Sequence, residues 1–251
     1  MSDFRCYCDN LPLAEGDQIE LSPEESNHLI AANRARVGDL VRAFDGQGIE
    51  ADCRVEIANK RRAILSLSAR YQIKRPPYEI ALAQALLKGK LLDNIIRKAT
   101  EIGAQRIFPV ATERTESKIG SEKADSKNAK WTNATLEGAK QSGNPFLAEI
   151  ESVLPFKDLL KAAEPYDLKL IASLETDAMS LKKHLETFQP KRDGERPRSA
   201  IWLIGPEGDF SPQEYEAARN AGFLPTTLGP HVMRSETAAA HALSITLYEL
   251  S

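Results

Sequence analysis

Two short, nearly continuous apolar runs constrain the fold of this chain more than any other feature of its sequence. They cover residues 169–173 and 200–204. Runs of this kind, without polar alternation, are typical of strands that are buried on both faces of a parallel sheet. Because segments with helical spacing lie between them, the pattern predicts alternating strands and helices. The predicted fold class is therefore α/β.

The same alternation begins at Tyr78. Residues 79–83 and 106–110 are further strand-like runs, and the helical pattern between them stops at Gly103. A lysine-rich stretch over about 126–141 predicts another helix. All of these elements belong to the same predicted α/β region.

The first 74 residues have a different pattern, with short strands separated by turn signals. The alternating segments that predict these strands lie at 18–21, 40–44, 51–57 and 63–67. One helix is predicted from Pro23 to about Arg34, with Ser22 as N-cap and Glu25 placed to complete a capping box. This pattern is typical of a small β-barrel.

A rigid Arg-Pro-Pro sequence at 75–77 separates the two regions and marks a domain boundary. We therefore predict two domains, at 1–74 and 78–251. The polar segment at 191–198, which contains proline and glycine, is predicted to be an exposed loop.

Composition excludes several classes of protein. No stretch approaches the roughly 18 consecutive apolar residues that a membrane helix needs. The first residues lack the apolar segment of a secretory signal, and three cysteines in 251 residues are too few for a disulfide framework. Cys6 and Cys8 have no paired partners for zinc. We therefore predict a cytoplasmic protein with no membrane association and no metal.

The charge distribution is uneven although the net charge is only -3. Residues 54–75 contain seven basic side chains and one acidic side chain, Glu56. A segment of this kind could bind phosphates. The alternative, which charge alone favours, is a set of solvated loops and strand edges protected by lysine and arginine.

Two Gly-Pro loops near the C-terminus are the strongest indication of a ligand site. The first, at 205–212, follows the run at 200–204 and leads into a predicted helix. The second, at 229–238, follows a predicted strand at 224–228 and leads into a final apolar helix. We expect both loops at the carboxyl ends of neighbouring strands, where open α/β sheets bind ligands. Glycine lets the main chain approach a ligand closely.

These loops also allow an interpretation without a ligand. Ser211 and Ser235 could be the N-caps of helices that follow two ordinary strand-to-helix turns. The residues themselves support both interpretations equally. The common catalytic signatures, including the P-loop and the G-x-G-x-x-G, G-x-S-x-G and H-E-x-x-H motifs, are absent from the sequence.

The order and spacing of short motifs along nearly the whole chain carry a family resemblance. From the N-terminus these motifs are Leu11-Pro12-Leu13, Gly16, His28-Leu29, Arg34, Val37-Gly38-Asp39, Phe44-Asp45-Gly46, Lys88-Gly89, Lys98-Ala99-Thr100-Glu101-Ile102-Gly103, Glu113-Arg114, Gln141-Ser142-Gly143, Ile204-Gly205-Pro206-Glu207-Gly208, Leu228-Gly229-Pro230 and Arg234-Ser235-Glu236-Thr237-Ala238. With them, the sequence resembles the RsmE family, methyltransferases of the SPOUT superfamily that modify N3 of a uridine in 16S ribosomal RNA.

The resemblance implies a particular fold, cofactor and set of partners. It implies an N-terminal PUA-like RNA-binding β-barrel, followed by an α/β methyltransferase domain with a parallel sheet and a deep trefoil knot. In such folds S-adenosylmethionine lies bent in the knot, held mainly by main-chain groups of the loops, and the enzyme is a homodimer. The implied partner is small-subunit ribosomal RNA within the assembled 30S subunit.

The resemblance also implies site residues. The candidate cofactor-binding residues are Leu174, Glu175, Gly205, Glu207, Gly208, Leu228, Gly229, Val232, Met233, Arg234 and Thr237. The candidate RNA-binding residues are Lys60, Arg61, Arg62, Lys88 and Arg114. Arg234 is the candidate catalytic residue, because a guanidinium can stabilise the negative charge that develops on uridine. Glu101, Glu113 and Glu236 are possible bases. The alternative for Arg234 is a structural pairing with Glu236.

Three residues depart from the family pattern. Asp209 stands where the family usually has a second glycine, His231 stands where arginine is usual, and Asn144 replaces the arginine that usually follows Gln-Ser-Gly. The last two departures remove expected cationic contacts to RNA. The changes at Asp209 and His231 leave open a second function, in which the chain keeps the fold as a non-catalytic RNA-binding or ribosome-assembly protein.

Overall fold

A computed structural model describes residues 4–115, 124–189 and 196–251. The chain divides into two compact units. The first contains Met1–Arg75 and Ala139–Leu147, and the second contains Pro76–Gly138 and Ala148–Ser251. Most of the loop predicted at 191–198 lies outside the described residues.

The first unit is built on a five-stranded sheet with the order β1-β3-β4-β5-β2. Its strands are β1 Phe4–Tyr7, β2 Gln18–Glu20, β3 Leu40–Phe44, β4 Ile49–Ile57 and β5 Ile64–Gln72. Strand β1, which the sequence pattern did not predict, runs parallel to β3, and the other pairs are antiparallel. Apolar side chains such as Leu29, Val55 and Leu65 form the core of this unit.

The helix predicted from Pro23 to Arg34 is shorter and less regular than expected. Helix α1 covers Pro23–Asn27, and a π-helical turn continues over His28–Ala32. Ser22 Oγ accepts a hydrogen bond from the Glu25 N–H at 3.2 Å, as predicted. The Glu25 carboxylate instead accepts from the Tyr7 N–H at 2.9 Å and pairs with Lys140. Long-range contacts within this unit therefore replace the second half of the predicted capping box.

The second unit contains a parallel sheet, which confirms the prediction. Its strands are β6 Glu79–Ala85, β7 Arg106–Ala111, β8 Glu149–Ile150, β9 Leu154–Pro155, β10 Leu168–Ala172, β11 Ser199–Ile204 and β12 Leu224–Thr226. The sheet order is β12-β10-β11-β6-β7-β8, and β9 also pairs with β7. Side chains that alternate along β11 belong to two separate core clusters, Trp202 to one and Leu203 to the other. This strand is therefore buried on both faces, as its apolar run predicted.

One detail of the predicted topology was wrong. The strands that precede the two Gly-Pro loops, β11 and β12, are not neighbours, because β10 lies between them. The carboxyl end of β10 therefore lies between the two loops. Strand order depends on long-range pairing, which local sequence patterns do not contain.

Among the described residues, the second unit has six helices, of which five lie between strands and the last follows β12. They are α2 Leu91–Ile102, α3 Ala124–Ser142, α4 Phe156–Ala162, α5 Leu181–Glu186, α6 Pro212–Asn220 and α7 Ser235–Leu250, of which α3 ends in the first unit. Gly103 ends α2 in a left-handed conformation, as predicted. None of the helices in the described segments is long and apolar enough to cross a membrane.

Within this chain the final helix, α7, is buried on one face. Ala239, Ala242 and Leu243 are buried, and the Trp202 indole N–H donates a 2.7 Å hydrogen bond to Thr246 Oγ1. Tyr248 is 81% exposed. The side of α7 that carries Tyr248 is therefore exposed in this chain.

Candidate functional site

A cavity of about 560 Å³ opens at the carboxyl end of the parallel sheet. Residues that follow β10, β11 and β12 line it, together with the start of α7. This is the edge at which open α/β sheets bind ligands. The volume falls within the range of about 300–1,000 Å³ that is usual for small-molecule sites.

The loop after β11 forms a tight turn against the cavity. The Asp209 N–H donates to the Pro206 carbonyl at 3.0 Å. A Cβ atom at Gly205 would lie 3.1 Å from the Phe210 ring, so close packing favours glycine there. Ser211 then caps α6 through a complete capping box with Glu214, as one interpretation of the sequence predicted.

Ser235 joins the two Gly-Pro loops and does not cap α7. Arg234 occupies the N-cap position, and Ser235 is the first helical residue. The Ser235 hydroxyl donates to the Gly205 carbonyl at 2.7 Å and accepts from Gln84 Nε2 at 2.9 Å. The predicted N-cap at Ser235 was therefore wrong, because this hydroxyl bonds to the other loop. In the second loop, position 229 has a φ of +129°, a conformation that favours glycine.

The end of β10 supplies a third wall. Ser173 and Leu174 line the cavity beside Tyr215 of α6. The Tyr215 hydroxyl donates to Asp209 Oδ1 at 3.1 Å. Burial raises the pKa of Tyr215, and the nearby Asp209 carboxylate raises it further. This tyrosine therefore stays protonated and acts as a hydrogen-bond donor.

Eight of the eleven predicted cofactor-binding residues line the cavity, namely Leu174, Gly205, Glu207, Leu228, Gly229, Val232, Met233 and Arg234. The other three are Glu175, Gly208 and Thr237. The Glu175 carboxylate pairs with Arg219, and the Gly208 carbonyl accepts from Arg114 Nη1 at 2.9 Å. Thr237 is exposed in the first turn of α7.

The cavity also includes residues that sequence reasoning did not assign to it. They are Leu91, Ala172, Ser173, Ile204, Pro206, Asp209, Tyr215, His231, Ser235, Glu236 and Ala238. Most of them are sequence neighbours of predicted residues, so the same motifs could have indicated that they line the cavity. Leu91 and Tyr215 reach the cavity only through tertiary packing, and no local pattern indicates it.

Arg234 and Glu236 both line the cavity. The alternative for Arg234 was an ion pair with Glu236, and the part of the chain that is described contains no such pair. Glu101 and Glu113 are not lining residues. The Glu113 N–H donates to the Glu214 carboxylate at 2.8 Å in a turn after β7.

The candidate RNA-binding residues are exposed in both units. Lys60, Arg61 and Arg62 lie in the turn between β4 and β5, where Arg62 pairs with Glu20 at 2.8 Å. Lys88 follows β6 and Arg114 follows β7. The exposed position of Lys60, Arg61 and Arg62 fits phosphate binding and fits a solvated turn equally well.

The cavity walls suit a ligand held by main-chain groups. The N–H groups of Leu228, Val232 and Met233 donate no hydrogen bond to any other described residue. The walls combine apolar side chains with a few polar ones, as small-molecule sites usually do. These features fit S-adenosylmethionine, which has a flat base, an aliphatic chain that carries a sulfonium and several polar groups. Among the described residues, no three His, Cys, Asp or Glu side chains form a metal site.

Comparison with known proteins identifies both units. Family models for an RNA methyltransferase domain and an RNA methyltransferase PUA domain match residues 74–247 and 21–68. Ribosomal RNA small subunit methyltransferase E of Bacillus subtilis (strain 168) is 27% identical, covering 94% of this chain and 92% of the relative. The enzyme of the same name from Aquifex aeolicus is 30% identical, covering 77% and 79%.

Solved structures agree with the sequence relatives. A methyltransferase from Legionella pneumophila with bound SAM superposes with a TM-score of 0.88 at 30% identity, covering 99% of this chain and 98% of that one. Ribosomal RNA small subunit methyltransferase E of Neisseria gonorrhoeae, bound to S-adenosyl methionine, gives 0.83 at 25% identity, covering 98% and 97%. The first unit is thus a PUA domain, and the chain belongs to the RsmE family of S-adenosylmethionine-dependent ribosomal RNA methyltransferases.

Proposed function

We propose that this protein methylates N3 of a specific uridine in 16S ribosomal RNA of the small subunit, using S-adenosylmethionine. The observation that carries the proposal is the presence of Arg234 and Glu236 together in the wall of the cofactor cavity. The relatives named for small-subunit RNA methylation support the substrate class. The eleven cofactor-binding residues predicted from the sequence remain part of this proposal.

The chemistry needs a charge-stabilising group and a base. S-adenosylmethionine, when bound, supplies a methyl group from a positively charged sulfonium and leaves as a neutral thioether. Uridine N3 must lose its proton before its electron pair can form the new N–C bond, and negative charge is then shared with O2 and O4. The Arg234 guanidinium offers fixed donors to these oxygens. The Glu236 carboxylate accepts the proton from N3.

The proposal extends to assembly and location. We propose a homodimer with a trefoil-knotted methyltransferase domain that acts on the assembled 30S subunit in the cytoplasm. The exposed Tyr248, on a helix with partly buried Ile245 and Leu247, supports a second chain packing on α7. The candidate RNA-binding side chains are exposed, as phosphate contacts require; they are Lys60, Arg61, Arg62, Lys88 and Arg114. Of these, Arg62 also forms an ion pair with Glu20.

Product analysis tests this function. Unmodified 30S subunits and free 16S RNA would be incubated separately with S-adenosylmethionine, and the RNA digested to nucleosides for mass spectrometry. We expect 3-methyluridine from wild type on subunits. Substitution of Arg234 by lysine should lower the single-turnover rate, and alanine should lower it by about 10²–10³-fold. Glu216→Gln, on the exposed face of α6, is the control and should match wild type.

Cofactor binding separates this function from the second one considered. Binding without methylation of either RNA substrate would favour a non-catalytic RNA-binding or assembly protein. A different methylated nucleoside would contradict the N3 assignment. An alanine variant at Arg234 with the wild-type rate would remove that residue from the chemistry.

A further inference from the structure

Asp209 holds an unusual conformation in the wall of the cofactor cavity. Its φ is +60°, in the left-handed region that residues other than glycine adopt infrequently, with Asn and Asp among the exceptions. Asp209 and Arg34 are the non-glycine residues with positive φ among those described. Glycine would adopt this conformation at a lower cost, so the presence of a carboxylate here calls for a reason.

The Asp209 carboxylate is fixed by two neutral donors. Its Oδ1 accepts from the Phe210 N–H at 2.8 Å and from the Tyr215 hydroxyl at 3.1 Å. Among the described residues, no cation pairs with it. Arg114 contacts the same loop, but at the Gly208 carbonyl. The negative charge of Asp209 is therefore held in place at the cavity without being neutralised.

Two acidic residues close to the cavity but outside it are paired with a cation, unlike Asp209. Glu175 and Asp177, which follow β10, are both paired with Arg219. That contact holds the pKa of Asp177 below its usual range. The two acidic residues that follow β10 outside the cavity are thus neutralised by a cation, whereas Asp209 is not.

The other charged lining residues make the cavity acidic as a whole. Glu207 and Glu236 also line it, and neither forms an ion pair with another described residue. Arg234 is the lining guanidinium. Three carboxylates against one guanidinium give the Asp, Glu and Arg side chains of the walls a formal charge of -2. A partly closed acidic cavity favours a cationic ligand over a neutral one of the same shape.

We propose that Asp209 is a specificity residue that makes this site prefer the cationic cofactor over the neutral product. This inference rests on the proposed function. S-adenosylmethionine and S-adenosylhomocysteine share their adenosine and amino-acid parts and differ by the methyl group and the sulfonium charge. Main-chain groups of the loops would hold the shared parts of both ligands alike, so discrimination would fall to the charged side chains. The fixed carboxylate therefore strengthens cofactor binding relative to product binding, and this limits competitive inhibition by S-adenosylhomocysteine.

The test measures binding rather than turnover. Isothermal titration calorimetry would give the Kd of the full-length protein for three ligands: S-adenosylmethionine, S-adenosylhomocysteine and sinefungin, an analogue with an ammonium-bearing carbon in place of the methylated sulfur. The variant is Asp209→Asn, since asparagine tolerates positive φ and keeps an oxygen for Phe210 and Tyr215. Glu216→Gln removes the same charge from the exposed face of α6 and is the matched control.

We expect Asp209→Asn to raise the Kd of both cationic ligands by about three- to tenfold, which is the size of one charge interaction in a partly solvated site. The Kd of S-adenosylhomocysteine should not change, and Glu216→Gln should change none of the three. Raising the salt concentration should reduce the wild-type preference, because the interaction is screened. Asp209→Gly should reproduce the loss of preference.

Three outcomes would overturn the inference in different ways. Equal weakening of all three ligands by Asp209→Asn would assign Asp209 to the shape of the loop, and unchanged binding of all three would remove its role altogether. Failure of wild type to bind any of the three would overturn the proposed function, and this inference with it.

Discussion

The hydroxyl group of Ser235 lies 2.7 Å from the carbonyl oxygen of Gly205 and donates a hydrogen bond to it. This bond joins the two loops that line the cavity at the carboxyl end of the sheet. Gln84 is fully buried on β6, and its Nε2 donates a hydrogen bond to Ser235 Oγ at 2.9 Å. This second bond fixes the position of the hydroxyl group. The shape of the cavity therefore depends on a side chain from a third strand.

We expect Ser235→Ala to lower both stability and cofactor affinity. The change removes the acceptor that Gln84 Nε2 uses at 2.9 Å and leaves it longer contacts, at 3.2 Å with Ala85 and 3.5 Å with Ile204. Depriving a buried donor of its acceptor lowers the free energy of unfolding by about 1–3 kcal/mol. Urea unfolding and calorimetric titration with S-adenosylmethionine would measure the two effects.

The control for this change is Ser66→Ala, which removes a surface hydrogen bond to Glu56 in the first unit. It should affect neither quantity appreciably, because water replaces an exposed partner. Unchanged cofactor affinity in Ser235→Ala, despite lower stability, would show that the link between the loops does not shape the cavity.

A second buried hydrogen bond fixes α7 to the sheet. Trp202 Nε1 donates to Thr246 Oγ1 at 2.7 Å, and both residues are buried. Thr246→Val keeps the shape of the side chain but leaves the indole N–H without its acceptor, so the free energy of unfolding should fall by about 1–3 kcal/mol. Thr132→Val, at an exposed position of α3, should change it little. Equal effects of the two variants would contradict this account.

Local sequence patterns were sufficient for some parts of the fold and site. The Gly-Pro loops and the end of α2 at Gly103 are determined by neighbouring residues and were predicted, and the N-cap at Ser211 was one of two interpretations of its loop. The register that places Gln84 opposite Ile204 joins residues far apart in sequence. No local pattern contains that pairing.

The same limit explains what the sequence analysis misplaced. Insertion of β10 between β11 and β12 is a property of the whole sheet. Residues Ala139–Leu147, predicted to lie in the second domain, cluster with the first unit. Lys140 at the start of that segment pairs with Glu25, a contact between residues 115 positions apart.

The basic turn between β4 and β5 predicts a salt-dependent contact with RNA. Replacing Lys60, Arg61 and Arg62 together by glutamate should weaken binding to 16S RNA and leave cofactor affinity intact. Each lost phosphate contact should flatten the dependence of log K on log salt by about 0.7–0.9. Filter binding at several salt concentrations would measure this.

A matched charge reversal is available in the second unit, at exposed Lys182 and Lys183 of α5. It should leave the slope unchanged if RNA binding at the turn is specific. A wild-type affinity and slope in the triple variant would instead assign the turn to solvated charge, as its ion pair between Arg62 and Glu20 also allows.

The exposed face of α7 predicts self-association. Wild type should be a dimer by light scattering at micromolar concentration. Tyr248→Glu should weaken the dimer by about 2 kcal/mol or more if this exposed aromatic is a central contact. Gln213→Glu, an exposed change on α6, is the control for added charge. A monomeric wild type would contradict the prediction.

The last prediction concerns the proton on uridine N3. Glu236→Gln keeps the size of the side chain in the cavity wall but removes the ability to accept that proton. The single-turnover rate near neutral pH should therefore fall by about 10²–10⁴-fold, the usual contribution of a general base. As pH rises, N3 loses its proton to solvent, so the deficit of the variant should shrink while wild type changes less. Cofactor binding, measured by calorimetry, should persist in the variant. Glu249→Gln on the same helix should behave as wild type. A deficit that is constant with pH would show that Glu236 positions other groups and does not take the proton.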